Sequence, residues 1–251
     1  APAPAPAPAP AAPQGADPRT GLAVGQRVPL RGVRRTVATR LARSRQEIPE
    51  ATTWVDVDAT RLVELRASLS EPPGLLALVA RFVIAGLARF PELNSWVDVD
   101  GEEIVHLAGV NLGIATQSDR GLVVPVVRGA HALRTRDLDT EIRRVTTAAR
   151  EGRATTTDLT GGSFTLNNYG GFGVDGSAAI INHPEVAILG LGRILPRPWV
   201  VDGEIVVRHI AQLSLVFDHR VCDGGTAGGF LRFVADAIES PLDALLDSGD
   251  L

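Results

Sequence analysis

Two periods of apolar residues alternate along this chain, and their alternation predicts its elements. Val33, Val37 and Leu41 stand four apart, which predicts an amphipathic helix over residues 31–47, ended before Pro49. Residues 52–57 read as a strand, and Asp58 is placed to cap a helix running to residue 69. Residues 75–90 are apolar almost throughout, which predicts a buried helix stopped by Pro91. Hairpins are predicted around Asp100-Gly101 and Asp202-Gly203, dipeptides that suit tight turns. Further strands are predicted near 110–116, 121–128, 164–167, 186–191 and 210–217, and helices near 135–150 and 228–238. Strands in runs, with helices early, midway and late, predict an α+β sandwich: two layers, with helices on one face of a mixed sheet.

The opening segment follows neither period. Five Ala-Pro pairs lead into Ala11-Ala12-Pro13-Gln14-Gly15, with no apolar face to bury. Such a sequence takes an extended path of roughly 3.1 Å per residue and acts as a semi-rigid spacer. Residues 1–20 are therefore expected to be an interdomain linker that tethers something mobile; a disordered tail or a cloning remnant is the plainer alternative. Residues 21–251 are expected to form one domain with a substantial core.

Composition removes several chemistries. All 25 basic residues are arginines. With no lysine there is no Schiff-base nucleophile, no phosphate-loop lysine and no residue on this chain to carry biotin or lipoate. The single cysteine, Cys222, excludes an intrachain disulfide and suits a reducing, cytoplasmic compartment. A net charge of −4 without a basic run argues against nucleic acid. The apolar stretch at 75–90 is too short, and too interrupted by Arg81 and Arg89, to span a membrane. No signal peptide opens the sequence and no methionine occurs, even at position 1, so a fragment or a processed form is expected.

Candidate chemistry gathers in two segments. Phe217-Asp218-His219-Arg220-Val221-Cys222-Asp223-Gly224-Gly225 sets a histidine and an aspartate four apart, after an apolar run and before a glycine pair. A histidine at a strand end with a carboxylate near it is a candidate general base. The competing reading makes it a structural histidine, with Asp223 capping the next helix. Ser163-Phe164-Thr165-Leu166-Asn167-Asn168-Tyr169-Gly170 supplies amides and a hydroxyl of the kind that stabilise an oxyanion. Gly171-Phe172-Gly173-Val174-Asp175-Gly176 spells GxGxxG, but a proline soon follows where a helix is required, so it reads as a loop. His106, His131, His183 and His209 stand singly and read as structural, and no metal-binding cluster is spelled.

His219-Arg220-Val221-Cys222-Asp223-Gly224 resembles the HxxxDG signature of chloramphenicol acetyltransferase-like acyltransferases. With Asp218 and Arg220 included, the resemblance narrows to the catalytic core of dihydrolipoamide acyltransferases of 2-oxo acid dehydrogenase complexes. Residues 29–35, Gly121-Leu122-Val123-Val124-Pro125-Val126, Phe164-Thr165-Leu166, Ile181-Asn182-His183-Pro184 and Ala187-Ile188-Leu189-Gly190 carry it further, so that it covers about 28–251.

The resemblance implies acyl transfer between dihydrolipoamide and coenzyme A, with His219 as the base and no metal. Asn167 occupies the place of the family's usual Ser or Thr oxyanion donor. Asp223 is implied to pair with Arg35 or Arg40, and Gly121, Leu122, Asn168 and Gly170 to contact coenzyme A. The lipoyl group would ride on a separate domain. Implied partners are that lipoyl domain, a 2-oxo acid decarboxylase and dihydrolipoamide dehydrogenase. Homotrimers with active sites between copies are implied, joined into a cage of about 24 subunits through Leu245, Leu246 or Leu251. The Phe-Thr-Leu-Asn-Asn-Tyr-Gly segment favours a branched-chain acyl group, and no spare arginine is evident for a succinyl carboxylate. A free-standing acetyltransferase for a small hydroxyl or amine, and a non-catalytic scaffold, are the alternatives.

Overall fold

The computed structural model describes residues 15–118 and 121–247. Helix α1 (Gly32–Glu47) leads into strand β1 (Glu50–Asp58), then helices α2 (Thr60–Ser68) and α3 (Leu75–Arg89). A hairpin of β2 (Ser95–Asp98) and β3 (Glu103–His106) precedes four short strands: β4 (Leu112–Ile114), β5 (Thr116–Ser118), β6 (Gly121–Val123) and β7 (Val126–Val127). Helix α4 (Thr135–Arg150), strands β8 (Phe164–Asn168), β9 (Ala187–Leu191), β10 (Leu195–Val201) and β11 (Glu204–Asp218), and helices α5 (Gly224–Glu239) and α6 (Pro241–Asp247) complete the order. The first 14 residues of the expected linker and Leu251 lie outside the described residues. The linker's last residues turn back, and Ala16 bridges Ala23.

The expected α+β sandwich is present. The main sheet runs β1-β11-β9-β8-β4-β7, with β10 beside the first half of β11. The β4–β8 and β8–β9 pairs are parallel and the others antiparallel, so the sheet is mixed.

Three expectations need correction. The second arm of the hairpin predicted around Asp202-Gly203 and the strand predicted at 210–217 form one continuous strand, because nothing between Val207 and Ile210 breaks it. Instead β11 changes partner at Ile210, from β10 to β1. The strands predicted near 110–116 and 121–128 are each interrupted, the second at Pro125, which has no N–H for a ladder. Helix α5 begins four residues earlier than expected, because Asp223 caps it through Gly225 and Thr226.

Alternation along β11 assigns the sheet's two faces. Leu213, Leu215 and Phe217 join Leu189, Leu191, Phe164 and Leu166 in the main core, against α3 and α5. The two helices approach closely at Gly86, where a Cβ would lie 2.8 Å from the Phe230 ring. The opposite face carries Val216 and Ile188, which cluster with Ile48 and Ile181. The buried Ser44 of α1 donates to the Ile181 carbonyl at 2.7 Å and fastens the helix to the 177–182 segment there. This second face, roofed by α1, holds one half of the candidate site.

Candidate active site

The apolar run of β11 delivers His219 to the surface at a braced position. Asp218 is completely buried. Arg220 closes on it with its backbone N–H at 2.9 Å, Nε at 3.0 Å and 3.1 Å from the two carboxylate oxygens, and Nη2 at 2.6 Å. A bidentate guanidinium–carboxylate pair of this kind fixes the turn rigidly. The backbone N–H of His219 donates to the Pro49 carbonyl at 3.1 Å. Its exposed imidazole lies beside the Phe217 ring, 5.6 Å between centroids, and no hydrogen bond reaches it among the described residues. An imidazole held by its backbone but free at both nitrogens can accept or return a proton.

Asp223 does not orient this histidine. Its carboxylate accepts from the Gly225 N–H at 2.9 Å and the Thr226 N–H at 3.3 Å, at the positive end of α5. No ion pair joins it to Arg35 or Arg40 among the described residues. The arginine brace sits at Asp218 instead. Between them, burial pushes the Cys222 thiol up to about 11, aided by Glu92, Asp223 and Asp218. It stays a thiol at neutral pH and is a poor nucleophile.

Asn167 stands elsewhere. From β8 it borders a cavity of about 570 Å³ beneath α1, and its side-chain amide has no partner among the described residues. Val37, Leu41, Leu122, Val124, Ile180 and Ile188 make the cavity walls largely aliphatic. Its paired neighbour Gly190 leaves no room for a side chain: a Cβ there would lie 2.5 Å from Ser214 Oγ and from the Tyr169 ring. A free amide N–H₂ at such a wall can donate to an oxyanion.

Of the expected coenzyme A contacts, Leu122 borders this cavity, while Gly121, Asn168 and Gly170 do not. Asn168 instead accepts from the Gly170 N–H at 3.1 Å and shapes the turn after β8. Gly170 packs against Gly192, and Gly121 ends the β5–β6 hairpin with φ 113°. The GxGxxG segment forms a single 3₁₀ turn and opens no helix. Arg35 borders a second, open cavity of about 1380 Å³ with Arg43, Glu47 and Arg220, and Arg40 borders both cavities.

The sheet register separates the two halves of the site. Asn167 pairs with Gly190, Gly190 with Ser214, and His219 follows five positions later along β11. At about 3.4 Å per residue and about 4.8 Å per strand, they lie roughly 17 Å apart along the sheet and roughly 10 Å across it. His219 borders neither cavity.

Sequence reasoning missed Glu185, which is buried at 2% exposure beside this cavity. Burial pushes its carboxyl up to about 7, against the opposing pull of Thr165, Asn182 and Arg40. The available signal was a charged residue directly before the apolar run Val186–Leu191.

The 2-oxoacid dehydrogenases acyltransferase (catalytic domain) family model matches residues 23–246. A lipoamide acyltransferase component of a branched-chain α-keto acid dehydrogenase complex from Pseudomonas aeruginosa is 40% identical over 232 residues, which are 88% of this chain and 54% of that protein. A mitochondrial dihydrolipoyllysine-residue succinyltransferase component of a 2-oxoglutarate dehydrogenase complex from Arabidopsis thaliana is 36% identical over 228 residues, 88% of this chain and 49% of that protein. The chain thus spans about half the length of these curated relatives.

Among solved structures, the cubic core of a pyruvate dehydrogenase multienzyme complex aligns with a TM-score of 0.85 at 27% identity, covering 94% of this chain and all of that one. Dihydrolipoamide acetyltransferase from Azotobacter vinelandii, studied for the roles of one serine, one histidine and one asparagine in catalysis, aligns with a TM-score of 0.82 at 28% identity. That alignment covers 88% of this chain and 93% of the other.

Proposed function

The chain belongs to the 2-oxoacid dehydrogenase acyltransferase family, which it matches in the catalytic domain, and from that premise we propose that it transfers an acyl group between the thiols of dihydrolipoamide and coenzyme A. The observation that carries this reading is an exposed imidazole, without a hydrogen bond among the described residues, on a rigidly braced strand end. The Azotobacter acetyltransferase supports it. Its serine, histidine and asparagine stand at the same relative spacing as Asn167, His219 and Asp223 here.

His219 takes the proton of the attacking thiol as its sulfur bonds to the thioester carbonyl carbon. Charge develops on the carbonyl oxygen, and the Asn167 amide donates to it. Collapse breaks the bond to the leaving sulfur, which receives the proton back from His219. A positioned base of this kind contributes about 10²–10⁴ in rate, and one oxyanion donor about 10²–10³. Asp223 supports the site indirectly by anchoring the start of α5. The separation within one chain favours His219 of one copy meeting Asn167 of another, in a homotrimer. By analogy with the cubic core, trimers would join into a cage. A lipoyl domain, a 2-oxo acid decarboxylase and dihydrolipoamide dehydrogenase would be its partners.

The aliphatic cavity beside Asn167 supports a branched, apolar acyl group, in keeping with the Pseudomonas relative. The test is transfer from isobutyryl-, acetyl- and succinyl-coenzyme A to free dihydrolipoamide by the purified chain. Isobutyryl transfer should be fastest. Absence of transfer to any thiol by the folded protein would overturn the reading.

A further inference from the structure

Behind the aliphatic wall of the Asn167 cavity, the proposed reaction leaves one charged group without a role. Glu185 accepts from Thr165 Oγ1 at 2.5 Å and from Asn182 Nδ2 at 2.8 Å. Both donors border the cavity. Arg40 borders it too, reaches Asn182 Oδ1 with Nη1 at 3.4 Å, and draws on the Glu185 charge electrostatically. It is the one cationic side chain among the cavity's described lining residues.

A guanidinium in an aliphatic pocket would attract an acyl group that ends in a carboxylate. A carboxylate sealed behind it offsets that attraction and repels the second anion. Building on the acyl-transfer reading above, we propose that Glu185 is a specificity-determining residue: by neutralising Arg40 through Asn182, it keeps the cavity selective for uncharged acyl groups over dicarboxylic ones. Thr165 and Asn182 hold the carboxylate in place, and Gly162 leaves room for it, since a Cβ there would lie 2.6 Å from Glu185 Oε1.

The charge should also switch with pH, because burial raises the Glu185 carboxyl to about 7. Charged groups on the elements packed around it include buried Asp218 of β11, whose N–H donates to the Val186 carbonyl, and Glu50 of β1, whose carboxylate accepts from the Ile181 N–H at 3.0 Å. Arg40 on α1 reaches it through Asn182, and His183, two positions away, turns its Nε2 to Glu47 at 2.9 Å. Arg128, beside Gly161, is occupied by the Thr157 and Thr160 carbonyls.

The experiment compares kcat/KM for succinyl- and isobutyryl-coenzyme A with dihydrolipoamide as acceptor. Glu185→Gln, which removes the charge and keeps the shape, should raise the succinyl-to-isobutyryl ratio on the order of tenfold, mainly through a lower KM for succinyl-coenzyme A. Adding Arg40→Gln should return the ratio to its starting value. Where Glu185→Gln does not fold, the unmutated chain carries the test: its ratio should rise as pH falls from 8 to 6. An unchanged ratio in the folded variant, equal loss of both substrates, or a ratio flat with pH overturns the proposal. Failure of the acyl-transfer reading is distinct, since the unmutated chain would then transfer neither group.

Discussion

Asn167 and His219 lie on the same sheet, two strands apart and five positions out of register. Neither has a side-chain hydrogen-bond partner among the described residues. The proposed mechanism makes each one half of a site, with a braced imidazole at one place and a free amide at a cavity in the other.

Because no hydrogen bond reaches the imidazole among the described residues, His219→Ala should remove chemistry without harming the fold. Expected is a fall in kcat of about 10²–10⁴, with stability changed by less than about 0.5 kcal/mol. Asn167→Ala should lower kcat by about 10²–10³. Steady-state kinetics and denaturant titration of the two variants check both parts.

The Asp218–Arg220 pair should act differently. Arg220→Ala leaves a fully buried carboxylate without its cation. Loss of about 2 kcal/mol is expected, below the 3–5 kcal/mol of fully buried pairs because Arg220 keeps 35% of its side-chain exposure. The turn that carries His219 should loosen, so kcat should fall as well. Urea unfolding and kinetics together would show a loss in both; an effect on neither contradicts the brace.

Asp223 is a helix cap in this chain, and capping makes a specific demand. Asp223→Ala should cost about 1 kcal/mol, while Asp223→Asn keeps the acceptor and should lose little stability. Neither should approach the kcat loss of His219→Ala. A loss of that size in the folded Asn variant would restore the orienting carboxylate that the geometry denies.

Glu185 gives stability a pH signature. Its carboxyl is raised in the folded state from 4.5 to about 7, so the folded protein holds a proton that the unfolded chain has released between those values. Its contribution is therefore full below about pH 4.5 and declines as pH rises to about 7, by up to about 3 kcal/mol. Chemical denaturation at a series of pH values should reveal the slope, and Glu185→Gln should flatten it.

Much of the architecture was legible because long elements carry strong periods. The helix at 135–150 was predicted with the bounds that α4 has, since Leu138, Ile142 and Val145 repeat on one face. Short strands were harder. A three-residue strand such as β4 holds too few positions to define a period, and Arg208-His209, directly before the partner change at Ile210, interrupts the apolar pattern without interrupting the strand. At the site, His219 stood out as a histidine after an apolar run with an aspartate four positions on, while Asp223's role depended on which backbone N–H groups it met in space. Glu185 was illegible as a functional group, because its partners Thr165 and Asn182 are brought to it by the sheet rather than by sequence spacing.

Under the proposed mechanism, one chain cannot complete the site. Co-expression of His219→Ala with Asn167→Ala tests it directly, because mixed trimers contain interfaces where one copy supplies the intact histidine and its neighbour the intact asparagine. Acyl transfer to dihydrolipoamide should recover to about one quarter of the unmutated rate, the share of sites that random assembly repairs. Activity no higher than that of the two variants measured separately, in trimers proven to be mixed, would contradict a site shared between copies.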